Sequence, residues 1–174
     1  MAIAVAAIAI FFTTQVKAQT VDANKWRLGI GIEGGIPTGD ITSFSNFDLG
    51  GTLRLQYGFT KDLALTLTSG YYDFFAKSQT ITVDGVSATG TPSNLGMVPV
   101  KAGLKYFFAP SIYLGGEAGV GLETNYNKDT KLLLSPALGW ASKSWDVGVR
   151  YENYSGQGDN FGTVALRIAY GFSL

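Results

Sequence analysis

Apolar and polar side chains alternate with a period of two along most of the chain from Trp26 onward. In residues 26–36, Leu28, Ile30 and Ile32 fall on one face, whereas the positions between them hold Gly and those flanking them hold Arg and Glu. This period is typical of β-strands whose two faces meet different environments. The pattern predicts eight strands, at 26–36, 48–59, 62–73, 96–108, 111–122, 131–140, 144–154 and 162–174.

The predicted connections alternate between short and long. Two-residue turns at 60–61, 109–110 and 142–143 separate longer segments at 37–47, 74–94, 123–130 and 155–160, which are rich in small and polar residues. In an up-and-down meander this alternation gathers all the long loops at one end of the sheet. Closing the sheet removes its exposed edges. The predicted fold class is therefore all-β, an eight-stranded antiparallel up-and-down β-barrel.

The composition of the two faces indicates which one points outward. The polar face consists mostly of Gly, Ala, Ser and Thr, and only 15% of all residues are charged, against roughly 25% in an ordinary soluble protein. A soluble barrel of the lipocalin kind, the alternative, needs a charged outer surface and an apolar interior. Small residues suit the interior of a narrow barrel better, which leaves the apolar face outside. The sequence therefore predicts a transmembrane β-barrel, whose strands need about 9–11 residues to cross a bilayer.

Aromatic residues gather towards the ends of the predicted strands on the apolar face, whereas Leu, Ile and Val occupy the middle. Aromatic girdles on both sides of an aliphatic band are typical of a lipid-facing surface. A charge introduced at Leu53 or Leu134 is then expected to destabilise the barrel far more than one at Thr52 or Ser135. The predicted girdle comprises Trp26, Tyr57, Phe59, Tyr71, Tyr106, Phe108, Trp140, Trp145, Tyr151, Tyr170 and Phe172.

The first residues differ from the rest of the chain. Residues 2–12 are apolar throughout, a run too short to span a bilayer as a helix and typical of the hydrophobic part of a secretory signal. Together with Val-Lys-Ala at 16–18, they predict a signal peptide at 1–18 cleaved after Ala18, an N-terminal segment at 19–25 and a barrel domain at 26–174. No Lys or Arg precedes the apolar run, which leaves a start upstream of Met1 or a buried N-terminal helix as alternatives.

These features resemble the small outer-membrane β-barrels of Gram-negative bacteria, the OmpA/OmpX-like group. The resemblance rests on the signal-like segment, the eight amphipathic strands, the alternation of turns and loops, and the ending Ala-Tyr-Gly-Phe-Ser-Leu at 169–174. It implies a location in the outer membrane, contact with its lipid, and insertion by the barrel-assembly machinery. In that group the terminal strand usually ends in an aromatic residue, whereas this chain ends in Leu174, with Tyr170 and Phe172 in phase before it.

The composition excludes several kinds of chemistry. The chain contains no Cys and no His, which excludes disulfides, thiolate zinc sites and histidine-based catalysis. Its 13 basic and 13 acidic residues leave no net charge to favour nucleic acid. Residues 29–34 match the G-x-G-x-x-G dinucleotide fingerprint, but Pro37 and Gly39 follow where that motif needs a helix. We expect no catalytic residue, no cofactor and no metal site.

A carboxylate pair for glycoside hydrolysis is also not expected. Asp146 and Glu152 lie six residues apart on one predicted strand, which corresponds to about 20 Å along that strand. The two carboxyl groups of a glycosidase lie roughly 5–9.5 Å apart. The predicted spacing therefore does not suit that reaction.

Charged residues on the small-residue face form the most informative set. They favour an internal salt-bridge network that fills a closed barrel, since eight strands leave just enough room for side chains. This interpretation predicts a non-enzymatic protein with a structural or surface-interaction role through long extracellular loops, with 74–94 as the candidate partner site. A polar pathway for ions or small solutes, and hence a small pore, is the alternative. The set comprises Arg27, Glu33, Arg54, Lys101, Lys105, Glu117, Asp146, Arg150, Glu152 and Arg167.

Turn geometry also predicts which interior charges face each other. A turn centred near Ala109 places Lys101 opposite Glu117 on the inner face. If the last strand pairs with the first, so that Trp26 lies near Leu174, the same register places Glu33 opposite Arg167. Such a contact between residues far apart in the sequence requires a closed sheet, and an open sheet would disprove the barrel.

Overall fold

The computed structural model describes residues 23–83, 86–156 and 158–174 of the protein. The predicted signal peptide at 1–18 and residues 19–22 of the predicted N-terminal segment lie outside the described residues. Among the described residues, no helix is long and apolar enough to cross a membrane. The elements are β1 (Trp26–Gly39), a 3-10 helix (Asp40–Ser43), β2 (Ser45–Gly58), β3 (Leu63–Ala76), β4 (Gln79–Val83), β5 (Val86–Gly90), β6 (Leu95–Phe107), β7 (Ile112–Glu123), β8 (Thr130–Ala141), β9 (Trp145–Gly156) and β10 (Asp159–Ser173).

Eight of the strands close into a barrel in the order β1-β10-β9-β8-β7-β6-β3-β2. All neighbouring pairs are antiparallel, and β1 pairs with β2 on one side and with β10 on the other. The predicted fold class, an eight-stranded antiparallel up-and-down barrel, is confirmed. Because successive side chains point to opposite faces of a strand, small, polar and charged residues face the interior along the middle of the strands, while most Leu, Ile and Val residues face outward.

The strands at the long-loop end extend beyond the predicted bounds. β1 continues to Gly39 and β2 begins at Ser45, so most of the predicted connection at 37–47 is strand or 3-10 helix. β10 begins at Asp159, within the predicted connection at 155–160. Backbone pairs such as Pro37 with Thr163 continue the ladder. The alternation of apolar residues marks only the part of each strand that needs an apolar face, whereas backbone pairing continues beyond it.

The long connection at 74–94 contains a hairpin that the sequence pattern did not predict. β3 continues to Ala76, and β4 and β5 then form a separate two-stranded sheet in which Thr80 pairs with Thr89. Thr and Val favour strands, but the segment has no apolar stripe that marks a core-facing strand. The pattern of apolar residues therefore gave no signal for these two strands.

The observed registers confirm one predicted charge pair and correct the other. Glu33 pairs directly with Arg167, and the Leu174 amide donates a hydrogen bond to the Trp26 carbonyl at 3.0 Å. The prediction that Lys101 lies directly opposite Glu117 was wrong, because Lys101 pairs with Gly119. Phe107 pairs with Tyr113, so the turn between β6 and β7 is centred on Pro110 instead of Ala109. Moving the centre by one residue shifts the register by two residues.

Apolar clusters lie at both ends of the barrel interior. At the long-loop end, the buried cluster comprises Ile41, Tyr72, Phe74, Leu95, Met97, Leu133, Tyr154 and Phe161. At the short-turn end, a smaller cluster comprises Phe107, Tyr113 and Ala141. Nine of the ten predicted interior charges lie buried between the two clusters, which separate them from water at both ends.

Candidate functional site: the barrel interior and its mouth

All ten predicted interior charges lie on the inner face of the barrel. Nine of them have an exposed fraction of 9% or less, and Arg27 is half-buried. They occupy alternate positions of β1, β2, β6, β7, β9 and β10, so the period of two directs each of them inward. The closed barrel then brings together side chains from opposite sides of the ring, which the sequence does not place near each other.

Glu117 is the first centre of this network. Its Oε2 lies 2.9 Å from Arg54 Nη2, 3.2 Å from Arg150 Nη1 and 3.9 Å from Lys101 Nζ. The hydroxyls of Thr66 and Thr68 donate hydrogen bonds to its other oxygen, at 3.0 and 2.7 Å. Lys101 and Glu117 therefore interact on a diagonal across β6 and β7, since long side chains reach residues that are offset by two positions.

Asp146 is the second centre. Its carboxylate accepts a hydrogen bond from Lys105 and another from the Tyr113 hydroxyl at 2.8 Å. The guanidinium nitrogens of Arg54 and Arg167 lie 4.0 and 3.8 Å from it. Arg54 thus contacts both Glu117 and Asp146, and it connects the two centres into one network.

Glu33 and Glu152 complete the network towards the long-loop end. Arg150 Nε lies 3.2 Å and Arg167 Nε 3.9 Å from the Glu33 carboxylate, close enough for ion pairing although neither is aligned as a hydrogen bond. Glu152 accepts hydrogen bonds from Lys101 and, at 2.7 Å, from the Tyr154 hydroxyl. Burial of such groups is costly unless each has charged or polar partners, and here the partners come from several strands.

The network fills the centre of the barrel. Nine of the ten predicted charges belong to it, five basic and four acidic. Among the described residues, two voids beside the network each measure about 10 Å³, which is about the room that one water molecule needs. Among the described residues, no group of acidic side chains could hold a metal ion. The arrangement can fix the shape of the barrel, and each of these two voids is too small for a substrate.

Arg27 is the predicted charge that the structure keeps apart from this network. It lies near the short-turn end, and its Nη1 donates a hydrogen bond to the Ser142 carbonyl at 3.1 Å. Its guanidinium lies across Gly171, where any added Cβ would collide with it. Arg27 therefore covers the end of the interior instead of pairing with a carboxylate in its centre.

Several interior residues were missing from the predicted set. Asp48 is 2% exposed and accepts a hydrogen bond from Thr163 at 2.5 Å, and Lys131 is 1% exposed. The tyrosines Tyr72, Tyr113 and Tyr154 also point inward. All five are in phase with predicted interior residues of their own strands, so extending the same alternation to the strand ends would have found them.

The predicted girdle residues all point away from the interior, but they are distributed unevenly. Nine have an exposed fraction of 40–60%, and Tyr57 and Trp140 are half-buried. Only Tyr71 and Tyr151 lie towards the long-loop end; the other nine form a belt at the short-turn end. Phe47 and Phe75, whose ring centroids are 6.0 Å apart, add to the thinner belt and were missing from the prediction.

A cavity of about 290 Å³ opens at the long-loop end of the barrel. It lies against the larger apolar cluster and below residues of the 3-10 helix and of the loop between β7 and β8. Apolar, aromatic and charged side chains all contribute to its lining. This mouth cavity, unlike the centre of the barrel, has room for a small molecule.

No protein-family model matches the sequence, and no curated protein matches it. Solved structures do match its fold. Ail, the attachment invasion locus protein of Yersinia pestis, aligns with a TM-score of 0.61 and 15% identity over 87% of this chain and 100% of that chain. The N-terminal β-barrel domain of Pseudomonas aeruginosa OprF gives a TM-score of 0.52 and 16% identity over 84% and 97%. A de novo designed transmembrane β-barrel gives 0.53 and 18% over 88% and 99%.

These similarities confirm the predicted resemblance at the level of the fold. The barrel spans nearly the whole of each matched chain, and its outward face is apolar throughout the middle of the strands. A closed eight-stranded barrel with an apolar exterior suits a lipid bilayer, where open sheet edges do not occur. The protein has the fold of the small outer-membrane β-barrels, and this fold fits the outer membrane of a Gram-negative bacterium.

Proposed function

We propose that the protein is a non-enzymatic outer-membrane barrel that does not conduct ions and that presents its long loops to the outside of the cell. The observation that carries this proposal is the filled interior: nine buried charges held in one network, with voids of only about 10 Å³ beside them. A rigid, closed barrel of this kind serves as a scaffold. On such a scaffold, binding residues usually lie on the loops that the barrel holds in position.

The distribution of the loops supports a surface-interaction role. The hairpin β4–β5, the 3-10 helix and the loop between β7 and β8 lie at the same end of the barrel. We propose the segment 74–94 as the candidate partner site, since it is the longest of these connections. The Ail structure has also been solved in complex with the heparin analogue sucrose octasulfate, so a barrel of this fold can bind a ligand.

The remaining expected interactions concern the export of the protein, its insertion into the membrane and its contact with lipid. We propose that the segment 1–18 directs export and is then removed. Contact between the outward face and lipid follows from its exposed Leu, Ile and aromatic residues. The in-phase aromatic residues Tyr170 and Phe172 near the end of β10 provide a signal of the kind that the barrel-assembly machinery recognises in this group.

The alternative function, a small pore, is tested by planar-bilayer recording. We expect no discrete conductance steps at any voltage, whereas a porin recorded in the same bilayers serves as the positive control for insertion. Gel mobility before and after heating confirms that the inserted protein is folded. Reproducible conductance steps from the folded barrel would overturn the closed scaffold and establish the pore.

The role of the segment 74–94 is tested on intact cells. Replacing residues 78–91 with a short Gly-Ser turn should abolish cross-linking of the barrel to its surface partners, while a variant with residues 79–90 in scrambled order controls for loop length. Both variants should retain heat-modifiable mobility, because the hairpin forms a sheet separate from the barrel. Unchanged cross-linking after the replacement would exclude this segment as the partner site.

The non-enzymatic role is tested separately by assaying the purified protein with lipid and ester substrates. Turnover of either substrate would disprove it.

A further inference from the structure

The mouth cavity has an apolar floor. Ile41, Leu95 and Phe161 line it, with exposed fractions of 8%, 9% and 5%. Its volume of about 290 Å³ lies near the lower limit of small-molecule sites, which is roughly 300 Å³. A ligand that fills this space would be small and would place an apolar group on the floor.

An aromatic pair forms one side of the cavity. The rings of Phe44 and Tyr126 are perpendicular, at 90°, with centroids 5.9 Å apart. The face of an aromatic ring carries partial negative charge and attracts cations, including ammonium groups of ligands. A ligand ammonium group placed over a free face of either ring would gain this attraction, whereas a neutral group or an anion would not.

The charges of the lining have the same preference. Lys131 Nζ lies 3.6 Å from Glu123 Oε1 at the buried part of the cavity, so the charges of these two residues offset each other. Asp40 adds a further carboxylate at the exposed rim. The charged residues of the lining thus sum to one negative charge, which attracts a cation and repels an anion.

The 3-10 helix that carries Asp40 and Ile41 is held in place by hydrogen bonds. The hydroxyl of Thr42 donates to the Gly39 carbonyl at 2.8 Å, and Lys77, which directly follows β3, donates to the Thr42 carbonyl. The Phe44 amide donates to the Ile41 carbonyl at 2.9 Å. The rim and the floor of the cavity therefore have a defined position before any ligand binds.

The loop between β7 and β8, which carries Tyr126, is also held in place by hydrogen bonds. Asn125 donates to the Asn94 carbonyl at 2.5 Å, and the Tyr126 hydroxyl donates to the Ser93 carbonyl. Tyr126 has a φ of 54°, a left-handed conformation that is unfavourable for a bulky residue and persists only where the surroundings enforce it. The loop thus maintains a strained backbone that directs Tyr126 towards Phe44.

We propose that the mouth cavity binds a small organic cation with an apolar body, of the arylalkylammonium class. The apolar body would lie on Ile41, Leu95 and Phe161, and the ammonium group would lie between the Phe44–Tyr126 pair and the Asp40 carboxylate. This site does not depend on a macromolecular partner at 74–94, because the segment 79–90 contributes none of its lining.

Three probes of similar size and different charge test the proposal: phenethylammonium, 2-phenylethanol and 3-phenylpropionate. Each is titrated into the isotopically labelled full-length protein in lipid nanodiscs, and backbone amide shifts are followed by NMR. We expect shifts at residues 40–44, 95–96 and 123–131, with phenethylammonium binding roughly 2–5-fold more tightly than the alcohol and the carboxylate binding most weakly. Shifts confined to the lipid-facing strands, or the carboxylate binding most tightly, would overturn the proposal.

Two variants distinguish binding that depends on the charge of the ligand from binding that depends only on the shape of the cavity. Asp40→Asn keeps the size of an exposed side chain and should remove most of the preference for the cation while the affinity for the alcohol stays unchanged. Phe44→Leu should weaken binding of the cation by roughly 2–5-fold. Asp62→Asn, which removes an exposed carboxylate at the opposite end of the barrel, is the matched control and should leave all three affinities unchanged. An Asp40→Asn barrel that prefers the cation as strongly as the original would disprove the assigned role of Asp40.

Discussion

The inner and outer faces of the same strands differ in burial and in how specific the contacts of their side chains are. Arg54 on the inner face is 4% exposed, whereas its neighbour Leu53 on the outer face is 55% exposed. Each inner side chain has particular partners: Arg54 contacts Glu117, Asp146 and Thr68. The outer side chains meet a fluid solvent that requires only apolar groups of suitable length. The inner face therefore depends on individual residues, while the outer face depends on composition.

The largest expected effect comes from removing the centre of the inner network. Glu117→Ala leaves Arg54, Arg150 and Lys101 without their shared carboxylate, and we expect the free energy of unfolding to fall by about 3–5 kcal/mol. Urea titration of the barrel in detergent micelles, followed by circular dichroism, measures this change. The exposed variant Asp62→Asn is the control and should stay within roughly 0.5 kcal/mol.

The loss of unfolding free energy in Glu117→Ala also shows whether water reaches the interior of the barrel. A loss below about 1 kcal/mol would match the value of solvent-exposed ion pairs. It would indicate that water reaches the centre of the barrel, which would favour the pore over the closed scaffold.

The next effect concerns the outer face. Leu53→Arg and Leu134→Arg place a charge near the middle of their strands and should each lower the free energy of unfolding in lipid by about 2–4 kcal/mol. Leu53→Met keeps the apolar character and should cost less than roughly 1.5 kcal/mol. Equal stability of the Arg and Met variants in a lipid-vesicle unfolding titration would contradict a lipid-facing Leu53.

The filled interior changes what we expect for the neighbouring inner positions. Thr52 is 3% exposed and accepts a hydrogen bond from Arg167 Nε at 3.2 Å, and Ser135 is 1% exposed. An arginine at either position meets packed side chains instead of an open lumen. We therefore expect Thr52→Arg to be costly as well, because of crowding and repulsion by Arg167 rather than exposure to lipid.

The smallest expected change in stability concerns two adjacent glycines of β2, each replaced by alanine. A Cβ added at Gly50 would collide with the Tyr72 ring and lie 2.6 Å from the Tyr71 carbonyl oxygen, whereas a Cβ added at Gly51 meets nothing within 4 Å. Gly50→Ala should cost about 1–3 kcal/mol, and Gly51→Ala should be neutral or stabilise by up to about 1 kcal/mol. Thermal unfolding followed by gel mobility ranks the two variants, and a reversed order would show that the faces are assigned wrongly at this position.

The sequence pattern predicted much of the barrel and little of its chemistry. The alternation placed Glu33 and Arg167 on the inner face, and the register of β1 with β10 followed from closure. It did not reveal the 3-10 helix at Asp40–Ser43 or the hairpin β4–β5, because neither has a repeating apolar face. The mouth cavity combines residues of two connections and four strands, so no single segment of the sequence carries a signal for it.

By itself the sequence determined the number of barrel strands, their inner and outer faces and the end at which the long loops gather, because a period of two and the spacing of turns are local properties of the chain. Only the tertiary structure decided which charges pair, since the partners of Glu117 come from β2, β6 and β9. The four-residue turn at 108–111 shows the reason. Its centre lies at Pro110 instead of Ala109, which leaves every side chain on its predicted face but shifts β7 along β6 by two residues and changes the partners of its charges.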